Sequence, residues 1–228
     1  MRRLGILASG LAAVLFCGLG WADELPPPLE SYMGRAIAQT MSWHGAPWLI
    51  RETREQEEAP SKLLEALDLR PGQTVADIGC GNGFYSLQIA QRVGPTGKVY
   101  AVDIQPEMLE LLQQRAAEAG VTNIVPVLST PADPKLPEGA VDLILLVDVY
   151  HELAYPEQML AGMRRGLSPD GRIALAEYRE EDLSVPIKPL HKMSKAQMRK
   201  EYESNGLRLV GQFDQLPWQH LMFFARAR

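Results

Sequence analysis

The chain has 228 residues, a formal net charge of -5 at pH 7, 46% hydrophobic residues and 22% charged residues. These values sit near globular averages, which excludes wholesale disorder and a multi-span membrane protein and leaves enough chain for one sizeable core. The basic residues form no long run, so nucleic acid is a poor candidate for the main partner, and no second catalytic domain is expected.

Residues 1–22 read as a secretion signal: Arg2 and Arg3, an apolar stretch over residues 4–19, then Gly20-Trp21-Ala22 with small residues where a signal peptidase inspects the chain. Cleavage after Ala22 is expected, which sends the mature protein out of the cytosol, to the periplasm in a bacterial cell, with a net charge of -7. The alternative is an uncleaved anchor over residues 4–21, just long enough to span a bilayer. Bulky Phe16 before Cys17 argues against lipid attachment, and loss of the leader leaves Cys80 alone, so no intramolecular disulfide is expected.

Residues 23–30, with Pro26-Pro27-Pro28, form a stiff spacer. Residues 31–70 are expected to be a helical lid, with helices over 31–41 and from 48 to 67, the latter divided at Pro60-Ser61. From residue 71 to 228 the period changes. Apolar strands are expected over residues 74–78, 98–102, 124–128, 141–147 and 172–177, with helices over 84–93, 106–119 and 156–167 between them. Near-continuous apolar strands alternating with helices imply a parallel sheet covered on both faces. The tail differs: a helix over 194–205, then strands over 207–213 and 219–227 around Pro217, which as close sequence neighbours must pair antiparallel.

Chemistry concentrates in Val75-Ala76-Asp77-Ile78-Gly79-Cys80-Gly81-Asn82-Gly83-Phe84, a buried strand running through a glycine loop into a helix. Glycine lets the backbone turn tightly and approach a ligand with no Cβ in the way. Asp103 follows Gly83 by 20 residues at the end of the next strand, in position to accept from both hydroxyls of a ribose. A dinucleotide fingerprint would place its third glycine at position 84, which is Phe84, and the loop spacing together with the lack of a second nucleotide half disfavours a nicotinamide-dependent oxidoreductase.

The run Asp77-x-Gly79-x-Gly81-x-Gly83 resembles motif I of the class I S-adenosylmethionine-dependent methyltransferases, and residues 99–109 resemble their next motif. Over residues 60–228 the chain looks most similar to small-molecule enzymes of quinone and sterol type. That resemblance implies a Rossmann-like three-layer α/β/α sandwich, with a mostly parallel seven-stranded sheet whose last strand is antiparallel. It implies S-adenosylmethionine as cofactor, with Gly79, Gly81 and Gly83 under the methionine part, Asp77 near its ammonium, Asp103 on the ribose and Ile104 beside the adenine. Residues 132–142 resemble the acidic loop that meets the adenine amine. The common acidic position is Ala132 here, with the acid one later, so Asp133 takes that assignment.

Ligands of open α/β sheets bind beyond the carboxyl ends of the strands. There the chain is polar: Asp148, His151 and Glu152 follow one strand, and Glu177 ends another. Asp148, which ends an apolar strand and would be costly to bury alone, is expected in both the cofactor site and the catalytic group, the latter together with His151 and Glu177. Methyl transfer needs in-line positioning, and a base where the acceptor keeps its proton; His151 is the candidate base, oriented by Glu152 or Glu177, with a strand or helix cap as the plain structural alternative. His151, His191 and His220, assisted by Glu152 or Glu177, could together hold a metal, but their spacing does not demand one, and no metal is expected. Trp43 and Trp48 are expected to wall the acceptor or to anchor the lid to the core.

The functional expectation is transfer of a methyl group to a small or lipid-like acceptor. The competing expectation is an exported, non-catalytic ligand-binding module that keeps the fold, because an exported protein meets no obvious supply of this cofactor.

Overall fold

The computed structural model describes residues 25–227; the expected leader and its cleavage point lie outside the described residues. Two short strands, β1 (Ser31–Tyr32) and β2 (Arg35–Ala36), form an antiparallel hairpin. The expected helix over residues 31–41 is therefore absent. Met33 (φ 50°) and Gly34 (φ 96°) are both left-handed, the requirement of a tight two-residue hairpin turn, and two such residues cannot lie inside a right-handed helix.

The next helical segment is also shorter than its pattern. A 3-10 helix runs Trp43–Ile50, entered through the Ser42 side chain, which accepts from the His44 N–H. α1 (Arg54–Glu58) and α2 (Pro60–Ala66) meet at Ala59, whose φ of 50° breaks the helix, while Pro60 fits the first turn of α2.

From residue 74 the expected alternation holds. The elements are β3 (Thr74–Ile78), α3 (Phe84–Val93), β4 (Lys98–Asp103), α4 (Pro106–Glu118), β5 (Ile124–Leu128), β6 (Val141–Val147), α5 (Pro156–Gly166) and β7 (Leu167–Arg179). They continue with β8 (Lys192–Met193), α6 (Lys195–Ser204), β9 (Leu207–Phe213) and β10 (Gln219–Arg226). The main sheet has the order β5-β4-β3-β6-β7-β10-β9, with β8 beside the end of β7. β10 runs antiparallel to both neighbours, and the pairings from β5 through to β7 are parallel. This is the expected seven-stranded path with the small β8 added. β7 begins earlier than expected: the Ser168-Pro169-Asp170-Gly171 turn is absorbed as a bulge, so Leu167 still faces Val141 before pairing resumes at Arg172 and Leu143.

Alternate residues of the central strands feed opposite cores. Ile144, Leu146, Ile173 and Leu175 join Met159, Leu160, Met198 and Tyr202 of α5 and α6. Leu143, Leu145, Ala174 and Ala176 join Leu63, Leu64, Ile89 and Val93 of α2 and α3. The chain winds outward in both directions from β3, so the carboxyl ends of β3 and β6 flank a topological switch point.

Candidate functional site

At that switch point lies a cavity of about 840 Å³. One wall comes from the β3–α3 loop and the end of β4. Gly79 (φ 66°) and Gly81 (φ 53°) both line it. A Cβ on Gly79 would sit 2.5 Å from a Val149 methyl, so even a single extra carbon would displace the loop. Asp103 closes the loop: its Oδ2 accepts from the Gly81 N–H at 2.9 Å and its Oδ1 from the Gln105 N–H at 2.9 Å. Burial pushes the Asp103 carboxyl above the usual aspartate range, against the pull of these backbone donors. Ile104, 40% exposed, also lines the cavity, with Met108 and Gln105 beside it.

Asp77 and Gly83 stand one layer back and do not line the cavity. Asp77 is buried, accepts from the Ser86 hydroxyl at 2.6 Å, and is pushed up to about 7 by burial, with the Asp103 carboxylate adding to the rise. Gly83 (φ 80°) lets α3 begin where a Cβ would strike Leu87 and Leu112. Asp133 does not reach the cavity. Its Oδ1 accepts from the Lys135 N–H at 2.9 Å and its main chain bridges Thr130. The preceding residues Ser129, Thr130 and Pro131 form that wall instead. The adenine-side assignment of Asp133 is thus not matched by its place: its Oδ1 serves its own loop, and the side chain lies outside the cavity wall.

A second wall comes from the chain before β3. Glu58 is fully buried and ion-pairs Arg51 and Arg54, while the Tyr178 hydroxyl donates to it at 2.7 Å. Burial works against the Glu58 charge, yet Arg54, Tyr178 and Arg51 together hold it below the usual glutamate range. Arg54 also donates to the Leu49 carbonyl at 2.6 Å and lies over the rings of Phe84 and Tyr85. Phe84 is therefore a packing platform that ties the N-terminal segment to α3. Trp48 lines the cavity, 48% exposed, with the Arg51 guanidinium 3.8 Å from its ring centre. Trp43 does not line it and stacks on His44.

Asp148, at the end of β6, lines the cavity in a left-handed conformation (φ 55°). Its Oδ2 accepts from the Gln219 side chain at 2.6 Å; its Oδ1 is buried with no partner among the described residues. Burial, then the carboxylates of Glu58 and Glu177, push its pKa well above the usual aspartate range.

His151 and Glu152 lie in a short 3-10 turn (Tyr150–Glu152) just beyond, and both line the cavity. Glu177 does not; it is fully buried behind His151, taking the His151 Nδ1 at 2.6 Å and the His151 N–H at 3.3 Å. Its expected catalytic assignment becomes a positioning role. Burial disfavours the imidazolium of His151, but Glu177 outweighs it and raises the proton affinity of the ring. Opposite, the His191 Nδ1 stands 3.0 Å from the His151 Nε2. Burial and the neighbouring His151 lower the proton affinity of His191. Glu152 accepts from the Met41 N–H through both oxygens at 3.3 Å, and burial pushes it up to about 7. Of the three histidines considered together, His220 is not here: it bonds Glu181 at 2.7 Å.

The N-terminal hairpin braces this turn from outside. Arg35 donates to the His151 carbonyl at 2.9 Å while its guanidinium pairs with buried Glu201, and the Ala38 N–H donates to the same carbonyl at 3.1 Å. Sequence reasoning missed Arg35, Glu58 and Glu201; the only signal available was charged residues inside otherwise helical patterns.

Residues 69–225 match the sequence family described as "Methyltransferase domain". The chain is 36% identical over 116 residues to a nocamycin O-methyltransferase of Saccharothrix syringae, covering 50% of this chain and 41% of that protein. It is 32% identical over 125 residues to a ubiquinone/menaquinone biosynthesis C-methyltransferase of Cupriavidus metallidurans, covering 55% of this chain and 49% of that one. The chain thus spans less than half the length of these curated relatives. A solved structure of a SAM-dependent methyltransferase from Aquifex aeolicus superposes with a TM-score of 0.76 at 26% identity, over 81% of this chain and 98% of that one. A putative type 11 methyltransferase from Sulfolobus solfataricus, 20% identical with a TM-score of 0.61, covers 75% of this chain and 94% of that one and shares the fold.

Proposed function

The chain belongs to the methyltransferase domain family, whose cofactor is S-adenosylmethionine, and from that premise we propose that it moves the methyl group to a small or lipid-like acceptor bound in the same cavity. The residues fit the cofactor: Gly79 and Gly81 hold backbone conformations and clearances that a Cβ would fill, Asp103 offers a carboxylate at the end of β4, and Ile104 and Met108 supply an apolar wall. When bound, S-adenosylmethionine supplies an electrophilic methyl on a sulfonium. Asp103 is then assigned to the ribose hydroxyls, Ile104 and the Ser129–Pro131 segment to the adenine, and the glycine loop to the methionine part. Asp77 stands behind that loop, held by the Ser86 hydroxyl and outside the cavity wall; an ammonium bound on the loop would favour its ionised form.

The observation that carries this reading is the Asp103 carboxylate, tied to the Gly81 and Gln105 amides and lining the cavity beside Gly79 and Ile104.

On the acceptor side the wall is mixed. Trp48, Leu153, Met159 and Ile187 are apolar, while His151, Glu152 and Asp148 are polar. Such a wall suits a molecule with a hydrophobic body and one polar reacting group. His151 is the group placed to act on that reacting atom. With Nδ1 held by Glu177, its Nε2 meets the His191 Nδ1 at 3.0 Å, and once that contact gives way its lone pair can either accept the acceptor's proton or bind an electrophile that polarises it. In-line positioning supplies the rest of the rate.

Calorimetry on the protein from residue 23 onward, with S-adenosylmethionine, its demethylated product and NAD, tests the reading. Micromolar-type binding of the first two and none of the third is expected. Failure of all three to bind overturns the proposal. Binding without turnover of any quinol, phenol or lipid-like acceptor favours the non-catalytic module instead. We further propose that the protein works outside the cytosol, after removal of residues 1–22; sequencing the mature amino terminus from fractionated cells decides this.

A further inference from the structure

We propose that His151, Glu152 and His191 bind a first-row divalent cation of zinc type at the acceptor end of the cavity. The inference rests on the reading of that cavity as an acceptor site and deepens it, because it names what polarises the acceptor.

Three donor atoms converge there: the His151 Nε2, the His191 Nδ1 and a Glu152 Oε1. They stand 3.0, 3.8 and 3.9 Å apart. An ion held about 2.0–2.2 Å from each of three such donors sets them roughly 3.0–3.6 Å apart, so the carboxylate has only a few tenths of an ångström to close. Nothing strong holds it back, since both Glu152 oxygens make only long 3.3 Å contacts to the Met41 N–H.

The support behind the donors is of the kind metal sites use. The Glu177 carboxylate accepts a hydrogen bond from the His151 Nδ1–H at 2.6 Å, which favours one tautomer, aims the Nε2 lone pair outward and makes the ring a better donor. Glu177 is fully buried and Arg35 fixes the backbone of the same turn through the His151 carbonyl, so the ring has little freedom to drift. Two imidazole nitrogens 3.0 Å apart cannot both point a lone pair at the other without a proton or a cation between them. Three protein donors, all lining the cavity, leave coordination positions open towards its interior, the arrangement of a catalytic rather than a structural site. Two imidazoles and one carboxylate suit zinc, iron, cobalt or nickel better than magnesium or calcium, which prefer all-oxygen sets.

The consequence concerns the acceptor. An ion there would bind a hydroxyl or enol oxygen and lower its pKa, the proton leaving to solvent. That oxygen's electron pair then forms the bond to the methyl carbon; where the ring carbon it activates attacks instead, that carbon's own proton is afterwards lost to solvent, restoring the ring. The carbon–sulfur bond breaks with its pair staying on sulfur, so charge and atoms balance without any oxidant. The acceptor class is thus a phenol, hydroquinone or enol.

The untagged protein from residue 23 onward, stripped with chelator and dialysed, is titrated with cobalt(II) and followed by its visible ligand-field bands, with zinc as competitor. One equivalent is expected to give bands of a low-coordinate nitrogen-bound ion that zinc abolishes. His191→Ala is expected to weaken cobalt binding a hundredfold or more, Glu177→Gln ten- to a hundredfold, and His220→Ala not at all. Circular dichroism and S-adenosylmethionine calorimetry on each variant show that it is folded and that the cofactor half is intact. A wild-type protein that binds the cofactor but takes up no cobalt overturns the metal site alone, as does a folded His191→Ala protein that binds cobalt as tightly as the parent. A protein that takes up cobalt but not the cofactor keeps the metal site and ends the methyltransferase reading.

Discussion

The two halves of the cavity are built in different ways. The half proposed for the cofactor takes Gly79, Gly81, Asp103 and Ile104 from one β-α-β unit, whose strands β3 and β4 pair residue by residue. The half proposed for the acceptor gathers Trp48, Glu58, Asp148, His151, Tyr178 and His191 from segments with no common local pattern. The first half closes on itself through local backbone hydrogen bonds. The second depends on the whole fold, on buried ion pairs and on one left-handed, half-satisfied aspartate. Substitutions in the first half should therefore abolish one measurable, cofactor affinity, whereas those in the second should change acceptor handling and leave the cofactor alone.

Asp103→Ala should have the largest effect. It removes the carboxylate assigned to two ribose hydroxyls and releases the Gly81 and Gln105 amides. Two charge-assisted hydrogen bonds are worth roughly 3–6 kcal/mol, so affinity for S-adenosylmethionine should fall on the order of a thousandfold. Calorimetry reads this directly, with thermal unfolding as the control. A loss smaller than tenfold would mean that the ribose lies elsewhere.

Asp77→Asn probes the same half through pH. In the free protein the native Asp77 keeps its proton up to about pH 7, because burial disfavours the charge, whereas the unfolded chain releases it near its ordinary value. The native state thus binds the extra proton between roughly pH 4 and 7. The stability this group contributes is complete below that window and falls as pH rises through it. The asparagine variant should unfold like the parent near pH 4 and be more stable by up to about 4 kcal/mol at pH 8. Urea unfolding at three pH values tests this; a gap independent of pH would show Asp77 already ionised in the free protein.

How much of each half can be read from residues alone follows from the same difference. The glycine spacing, the acidic strand ends and the 3.6- and 2-residue periods are local signals, and the elements from residue 74 onward stand close to where those periods place them. The hairpin at Met33-Gly34 is not legible, because a left-handed methionine has no local signature and its carbonyl is held by Gln197 and Lys200 of α6, far along the chain. Nor is the division of labour between two glutamates legible: Glu177 and Glu152 both lie beside His151, and only three-dimensional packing decides that Glu177 is sealed behind the ring while Glu152 reaches the cavity. His191 and His220 are equally plain loop histidines in the sequence, yet only the first meets His151.

In the acceptor half, Trp48→Ala should raise the KM for a hydrophobic acceptor about tenfold, with cofactor affinity unchanged, because Trp48 lines the cavity. Trp43→Ala should lower thermal stability and leave the KM within about twofold, since Trp43 stacks on His44 outside the cavity wall. Equal effects of the two on KM would erase the distinction between wall and anchor.

The smallest expected effect belongs to Asp133, and it tests where the two halves divide. Its carboxylate is already engaged with the Lys135 N–H, its main chain with Thr130, and its side chain lies towards Gly162 of α5. Asp133→Ala should therefore cost a turn hydrogen bond, about 1 kcal/mol of stability, and leave cofactor affinity within about twofold. Ser129 and Thr130 reach the cavity independently of that side chain. A tenfold loss of affinity in a variant that melts normally would mean that the loop turns over when adenine binds. The cofactor half would then need a rearrangement of its own, and rigidity would no longer separate it from the acceptor half.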